Sequence, residues 1–454
     1  MINSKTKKLN KFFNPKSVAI IGASDEIKTV GFGLVKNISL FKGDVFYVNP
    51  FDKKIAKQES FAKITDIKKN IDLVIIAVPA KIVLEIVKDC CEKKVGGLVI
   101  ISSGFAEAGE EGKKIQNKIV ELVSRAGIPL IGPNCLGIIS TQNNLNASFA
   151  PLHPKTGNIA FLSQSGSIID AVLDKSADEN FGFSKIVSYG NEADVSLVDF
   201  LEYFQNDKQT KVIGIYLESI KDGQKFMTIA KKVSKIKPIV IIKSGKTISG
   251  QKAATTHTGA LSTDYEIYKA AFKQAGIIQT ESLQDFFDKL KALCFQPVAE
   301  NGFGIITNGG GLGVLAADFC EEMGIILPEI SKKSIISLDK DVRLKLLPTK
   351  KNPLDLMGDA LPERYKIAIK TMLGQDSIKG LLVMQAIQIM TDPMENAKII
   401  VELHKQFPNK PIVSCFVGKK LAQEAIDYLE KNKIPNYNDP KRAVQAISSL
   451  IIKK

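Results

Sequence analysis

The sequence predicts an α/β protein made of three doubly wound parallel-sheet domains. Two observations lead to this prediction. Apolar strand segments alternate with helical patterns along the chain, and three of these strands run into a turn rich in glycine or serine that leads into a helix. Alternation of this kind is typical of parallel sheets, because consecutive parallel strands need a crossover helix.

The three strand–turn–helix units begin at residues 18–24, 159–167 and 304–313. Between them, further short apolar runs are predicted to be strands of the same sheets. They lie at 45–48, 73–78, 97–102, 212–217, 381–384 and 412–416.

Two stretches in which this pattern loosens are predicted to be linkers. Residues 141–154 are rich in Asn, Ser and Pro, and residues 295–302 read FQPVAENG. Since 454 residues are too many for one hydrophobic core, we expect domains at 1–142, 143–294 and 295–454.

Composition excludes several classes of protein. No segment approaches the roughly 20 apolar residues of a membrane span, and the N-terminus lacks a signal-peptide pattern, so we expect a cytoplasmic protein without membrane contact. The six cysteines show no metal-ligand spacing, so neither a metal site nor a disulfide framework is predicted. The net charge of +14 favours anionic ligands, but its lysines are dispersed and Trp is absent, so no nucleic-acid partner is expected.

One of only three histidines, His257, lies in a loop of small residues at 249–261. A buried strand is predicted before this loop and a helix after it. Histidine suits nucleophilic and general-base chemistry near neutral pH, and a loop of Gly, Ala, Ser and Thr can move. A surface loop that happens to contain a histidine is the alternative.

The first turn, Gly22-Ala23-Ser24, does not fit a nicotinamide site. That site needs G-x-G-x-x-G and an acidic residue after the second strand, whereas position 24 is serine and strand 45–48 runs into Asn49 and Pro50. What remains is a phosphate-sized turn at a helix N-terminus, which suits a different anionic nucleotide.

The second and third turns, 163–167 and 308–313, also lead into helices, so their N–H groups can bind an anion. Glu218 follows a predicted strand directly, at the sheet edge where α/β proteins build their sites. Each feature also has a purely structural explanation, as a tight turn or as an acidic residue complementing a helix dipole.

The segments Ser244-Gly245-Lys246-Thr247 and 253–261 (AATTHTGAL) resemble the phosphohistidine loop of NDP-forming acyl-CoA synthetases, which are related to the succinyl-CoA synthetases. Further motifs at 21–24, 47–50, 77–80, 102–107 and 131–137 resemble the CoA-binding domain of that family. The resemblance runs from about residue 10 to the C-terminus. It implies one Rossmann-like CoA-binding domain and two flavodoxin-like domains.

The resemblance also implies roles for individual residues. His257 would be the phosphorylated nucleophile, and Glu218 would orient its ring. Phosphate would be bound by Ser163, Gln164, Ser165, Gly166, Asn308, Gly309, Gly310 and Gly311. CoA would be bound by Gly22, Ala23, Ser24, Asn49, Pro79, Ala80, Ser103, Gly104, Phe105 and Asn134.

The implied function is that of the alpha subunit of an ADP-forming acetyl-CoA synthetase, which converts acyl-CoA, ADP and phosphate to carboxylate, CoA and ATP. No P-loop is present, because position 240 is valine. The family uses a smaller ATP-grasp beta subunit, in an α2β2 heterotetramer, and that subunit would bind Mg²⁺ with ADP or ATP. Two rivals are a non-catalytic CoA-binding regulator and an acyltransferase. The preferred acid and the role of the motif at 352–355 are not predicted.

Overall fold

The computed structural model describes Thr6 and residues 8–252, 264–347 and 349–452, without the side chains of Asp178 and Lys419. The chain forms two compact units, Met1–Thr280 and Glu281–Lys454. The first unit contains two seven-stranded sheets and the second a four-stranded sheet. The predicted α/β class with three sheets dominated by parallel pairs is thereby confirmed.

The first sheet has the strand order β3-β4-β2-β1-β5-β6-β7, and all its pairs are parallel except β3 with β4. Its central strands are buried along their whole length, as expected for a parallel sheet covered on both faces. The strands are β1 Ser17–Ile21, β2 Asp44–Val48, β3 Lys54–Ile55, β4 Gln58–Phe61, β5 Leu73–Ile76, β6 Leu98–Ile100 and β7 Leu130–Ile131. The helices are α1 Asn10–Phe13, α2 Val30–Ile38, α3 Ala80–Lys93 and α4 Glu110–Ala126.

The second sheet has the order β14-β13-β12-β10-β11-β8-β9, with five parallel strands and an antiparallel pair at one edge. Its strands are β8 Gly137–Ser140, β9 Leu145–Ser148, β10 Thr156–Ser163, β11 Phe183–Ser188, β12 Val212–Leu217, β13 Ile239–Lys243 and β14 Ile278–Thr280. Its helices are α5 Gly166–Asp178, α6 Leu197–Asn206, α7 Gly223–Ser234 and α8 Tyr265–Gln274.

The second unit is built on a wholly parallel sheet of order β16-β15-β17-β18. Its strands are β15 Phe303–Thr307, β16 Leu354–Asp355, β17 Gly380–Ala386 and β18 Ile412–Val417. Its helices are α9 Leu283–Phe295, α10 Gly310–Glu322, α11 Lys332–Leu338, α12 Val342–Lys345, α13 Pro362–Leu373, α14 Pro393–Gln406, α15 Lys419–Lys431 and α16 Pro440–Leu450.

The prediction that residues 141–154 form a linker is wrong, because β9 lies within them. This strand is buried and pairs antiparallel with β8. The polar side chains of this strand bond to each other, since the Ser148 hydroxyl donates to Asn146 Oδ1 at 2.6 Å. The Asn37 side chain of α2 donates to the carbonyl oxygens of Ser148 and Ala150 at 2.9 and 2.8 Å. The three-domain division at 142 and 294 stays a prediction.

The described part of the chain contains no helix long and apolar enough to cross a membrane. Nor do its described residues bring together three His, Cys, Asp or Glu side chains in a group that could hold a metal ion.

Candidate active site

A cavity of about 520 Å³ opens in the first unit, where strand ends of the first sheet meet the N-terminus of α5. The carboxyl ends of parallel strands are where α/β proteins bind ligands, and this volume is in the range of small-molecule sites. Five of the predicted residues line it, namely Pro79, Ala80, Ser103, Asn134 and Gly166. The other lining residues are Val30, Ala77, Val78, Ile101, Ser102, Cys135, Leu136, Phe149, Ser167 and Asp170.

Hydrogen bonds to the backbone tie together the strand ends on one side of the cavity. Asn134, after β7, has φ of 58° and donates its N–H to the carbonyl oxygen of Ser102 at 2.9 Å. The Ser102 hydroxyl in turn bridges to the backbone of Val78, donating to its oxygen at 2.5 Å. Three strand ends are therefore tied together around the cavity.

In the first turn, backbone atoms of neighbouring segments lie unusually close together. Gly22 has φ of +88°, a conformation that L side chains rarely adopt, and a Cβ there would overlap the Ala77 carbonyl oxygen. Gly31 packs against Gly22 so closely that its own Cβ would overlap the Gly22 oxygen. The helix begins only at Val30, later than predicted, because Thr29 caps it by accepting a hydrogen bond from the Phe32 N–H.

Ala23, Ser24 and Asn49 do not line the cavity. The Asn49 side chain donates to the Ala23 carbonyl oxygen at 3.0 Å, and Ser24 Oγ accepts from the Glu26 N–H at 3.0 Å. These polar groups therefore shape the turn and its surroundings. Their predicted contact with CoA stays a prediction.

Gly104 and Phe105 also lie outside the cavity lining, and Phe105 is fully buried in the hydrophobic core of the first sheet. Both backbone N–H groups donate to Glu107, at 2.6 and 3.2 Å. Burial alone raises the pKa of Glu107, but hydrogen bonds from Asn191 and from these N–H groups outweigh it and leave the pKa below its usual value. The carboxylate thus holds the 103–107 turn in shape.

The second turn leads into an uncapped helix N-terminus. Ser163 Oγ is buried within the turn, where it donates to the Ser165 carbonyl oxygen at 2.7 Å and accepts from the Ser165 N–H at 3.1 Å. Within the described part of the chain, no side chain caps α5, whose first residue is Gly166. Its first backbone N–H groups are therefore available to an anion.

Gln164 joins this turn to Glu218. Its side-chain oxygen accepts hydrogen bonds from the backbone N–H groups of Glu218 and Ser219, at 2.5 and 3.0 Å. Glu218 lies directly after β12 and is only 9% exposed. The structure therefore brings two sequence-predicted residues together at one sheet edge.

Lys243, at the end of β13, lies beside Glu218. Its Nζ donates to the Ser244 carbonyl oxygen and lies 4.7 Å from the centre of the Tyr268 ring. Burial lowers the pKa of Lys243 to about 8, against the opposing effect of the Glu218 charge. Sequence reasoning missed Lys243, because its place opposite Leu217 depends on the strand register, which only the structure shows.

The third turn, in the second unit, repeats the design of the second. Thr307 Oγ1 accepts from the Gly309 N–H at 3.0 Å, and the Asn308 side chain bonds to the backbone of Ala386 at 2.8 and 3.0 Å. A Cβ on Gly310 would contact Asp355 Oδ2 at 2.7 Å, so a carboxylate lies beside the N-terminus of α10. The motif at 352–355, whose role is not predicted from the sequence, therefore lies next to the turn that is predicted to bind phosphate.

His257 lies outside the described residues, as does most of its loop. The other two histidines are described. His153 is exposed, and His404 is half-buried on α14. Burial lowers the pKa of each, so both favour the neutral ring near neutral pH.

Comparison with known proteins identifies the family. Models described as CoA binding domain, succinyl-CoA ligase like flavodoxin domain and ligase-CoA domain match residues 16–141, 156–293 and 303–449. The alpha subunit of ADP-forming acetate–CoA ligase I from Pyrococcus furiosus is 39% identical, over 97% of each chain. This chain belongs to the ADP-forming acetate–CoA ligase family. The resemblance stated from the sequence, with its CoA-binding domain, is confirmed.

Other members of the family are longer. The ADP-forming acetate–CoA ligase I of Archaeoglobus fulgidus is 42% identical over 97% of this chain, which spans only 63% of that relative. Among solved structures, dinucleotide forming acetyl-coenzyme A synthetase 1 of Ca. Korarchaeum cryptofilum, in complex with phosphate and ADP, superimposes with a TM-score of 0.92. It is 35% identical, and the match covers 97% of this chain and 96% of that one.

Proposed function

We propose that this chain is the alpha subunit of an ADP-forming acyl-CoA synthetase and carries the thioester half of its reaction. The observation that supports this most strongly is the 520 Å³ cavity, which joins predicted CoA residues to the uncapped N-terminus of α5. A thioester in this cavity and a phosphate at Gly166 would meet at one place. The overall reaction is acyl-CoA + ADP + phosphate ⇌ carboxylate + CoA + ATP.

In the first step, a phosphate oxygen attacks the thioester carbon, the carbon–sulfur bond breaks, and CoA leaves as a thiolate. The α5 N-terminus holds the phosphate, and its backbone N–H groups and dipole favour the negative charge there. The product is an acyl phosphate. Binding by Ser163 to Gly166 is supported by the turn geometry, and binding by Asn308 to Gly311 is proposed from the family resemblance.

In the second step, a ring nitrogen of His257 attacks the phosphorus, the phosphorus–oxygen bond to the acyl group breaks, and the carboxylate leaves. Phosphohistidine then transfers the phosphoryl group to ADP. Dividing one difficult transfer into two covalent steps is the general advantage of nucleophilic catalysis.

Glu218 is proposed to accept a hydrogen bond from the other ring nitrogen of His257. This contact would fix the tautomer and stabilise the positive charge of the phosphorylated ring. Its near-complete burial and its backbone anchor on Gln164 support this role, because they restrict where the carboxylate can lie.

The nucleotide half is assigned to a partner. Neither the sequence nor the cavity offers a triphosphate-binding loop, and relatives named as alpha subunits point to a separate second subunit. We propose a smaller ATP-grasp beta subunit in an α2β2 heterotetramer, with Mg²⁺ bound beside ADP or ATP on that subunit. The assembly would act in the cytoplasm.

Phosphorylation of the purified chain tests this proposal. Incubation with acetyl-CoA and [³²P]phosphate should place acid-labile, base-stable label on the chain in the absence of any nucleotide. His257→Gln should abolish the label, whereas His153→Gln, at an exposed histidine, should retain it. Label that persists in the His257→Gln protein would overturn the assignment of the nucleophile, and a wild-type chain without label would overturn the proposed half-reaction.

A further inference from the structure

Asp170 brings a carboxylate to the cavity that the proposed reaction does not use. It lies on α5 one helical turn beyond Gly166, so both residues lie on the same face of the helix and both line the cavity. Its Oδ1 atom is buried and has no hydrogen-bond partner in the described part of the chain. Burial raises the pKa of this carboxyl group above its usual value.

In the described part of the chain, the lining contributes no positively charged side chain to balance this charge. Most of it is apolar, including Val30, Leu136 and Phe149, and none of the described lining residues is Lys, Arg or His. The other titratable lining residue is Cys135, whose thiol donates to the Ile100 carbonyl oxygen at 3.2 Å. Burial raises the pKa of Cys135 to about 12, so the thiol stays neutral.

We propose that Asp170 is a specificity-determining residue that excludes acyl groups carrying a second carboxylate, such as succinyl, from this cavity. The inference rests on the proposed function, because it requires the acyl end of the thioester to occupy the cavity. A neutral acyl group meets no electrostatic penalty from Asp170. A dicarboxylic acyl group would place a second negative charge beside the Asp170 carboxylate, whose Oδ1 has no hydrogen-bond partner among the described residues.

The expected size of the discrimination follows from electrostatics. Two like charges roughly 5 Å apart, at an effective dielectric constant of about 20, disfavour binding by on the order of a hundredfold. Removing the Asp170 charge should restore at least tenfold of the lost binding. The full hundredfold is not expected, because water that enters the cavity already relieves part of the penalty in the wild type.

Arsenolysis by the full chain measures this discrimination without a partner or a nucleotide. Arsenate replaces phosphate, the acyl arsenate hydrolyses spontaneously, and thioester loss is followed by absorbance. We expect Asp170→Asn to raise kcat/KM for succinyl-CoA relative to acetyl-CoA at least tenfold. Asp174→Asn, one turn further along the same helix at an exposed position, should leave the ratio unchanged.

If succinyl-CoA is not turned over, its inhibition of acetyl-CoA arsenolysis gives the same comparison. Its inhibition constant against acetyl-CoA should fall at least tenfold in Asp170→Asn and in Asp170→Ala. Active variants in which both the ratio and the inhibition constant stay within threefold of wild type would overturn the role of Asp170 and leave the proposed function intact. Absence of arsenolysis with every thioester in the wild type would overturn both.

Discussion

Single residues at the edge of the second sheet are held by few, specific contacts. Gln164 fixes the backbone at Glu218 through two hydrogen bonds, and Lys243 lies alongside with a pKa lowered to about 8. The fold therefore restricts the position of the Glu218 carboxylate, which would move more freely on a solvent-exposed side chain. This is the arrangement that an orienting residue requires.

Replacing Glu218 by Gln should lower kcat at least tenfold. The amide keeps an acceptor oxygen but loses the charge that would stabilise a phosphorylated histidine. Loss of an orienting carboxylate can reduce a rate by about 10⁴, as in the Asp→Asn exchange in a serine protease triad. The measurement is the rate of label incorporation from acetyl-CoA and [³²P]phosphate.

Glu85→Gln is the matched control for this exchange, because Glu85 is exposed on α3, where it forms an ion pair with Lys88. Its rate should equal that of wild type. If the Glu218→Gln chain incorporates label at the wild-type rate, the orienting role is contradicted and Glu218 is purely structural.

The sequence locates the site residues better than it describes what their atoms do. Glu218 was predicted because it directly follows a strand, at the sheet edge where α/β proteins build their sites. Asn134 was predicted from the family resemblance alone. Ser163 and Asn308 were predicted to bind phosphate, yet their side chains bond within the protein. Which partner a hydroxyl or amide takes depends on local backbone geometry, which residue spacing does not reveal.

At the scale of elements, the turn after β1 and the first turn of α2 are in close backbone contact. A Cβ on Gly31 would overlap the Gly22 carbonyl oxygen, so glycine is required there by backbone contact rather than by conformation. This glycine was missed from the sequence, because the turn was expected to lead straight into a helix.

Gly31→Ala should lower the free energy of unfolding of the chain by about 1–3 kcal/mol, the usual effect of overpacking a close contact. The overlap involves backbone on both sides, so neither partner can move away cheaply. Denaturant titration followed by circular dichroism measures the change. Since the same glycine positions the first turn, CoA affinity should fall as well.

Gly223→Ala is the control at the element scale. Gly223 is the first residue of α7, and a Cβ there meets no atom within 4 Å. Alanine should be neutral or slightly stabilising, by up to about 1 kcal/mol, because it reduces the freedom of the unfolded chain. Equal destabilisation by the two substitutions would contradict the close-packing argument.

The strands were predicted from the sequence more reliably than the places where they stop. All three strand–turn–helix units were recognised from apolar runs and glycine, because strands that are buried on both faces of a parallel sheet consist almost entirely of apolar residues. The edge strand β9 was taken for linker, since its residues Leu145 to Ser148 include Asn and Ser. The Ser148 hydroxyl donates to Asn146 within the strand, and the Ser148 carbonyl oxygen accepts from Asn37 of α2, a contact that spans more than 100 residues of sequence.

For the whole molecule, the proposed function divides one reaction between two chains. This chain is proposed to supply a cavity for the thioester, a helix N-terminus for phosphate and a histidine loop. The partner is expected to supply the nucleotide site. The net charge of +14 fits the proposed ligands, CoA, phosphate and an acyl phosphate, which are all anionic.

The most direct test of this division uses the chain free of any partner. Calorimetry should show CoA binding, and incubation with acetyl-CoA, phosphate, ADP and Mg²⁺ should give no ATP beyond a blank. Addition of an ATP-grasp beta subunit should start ATP formation, and His257→Gln should remove it again. ATP synthesis by rigorously partner-free chain would contradict the account, as would a chain that binds no CoA.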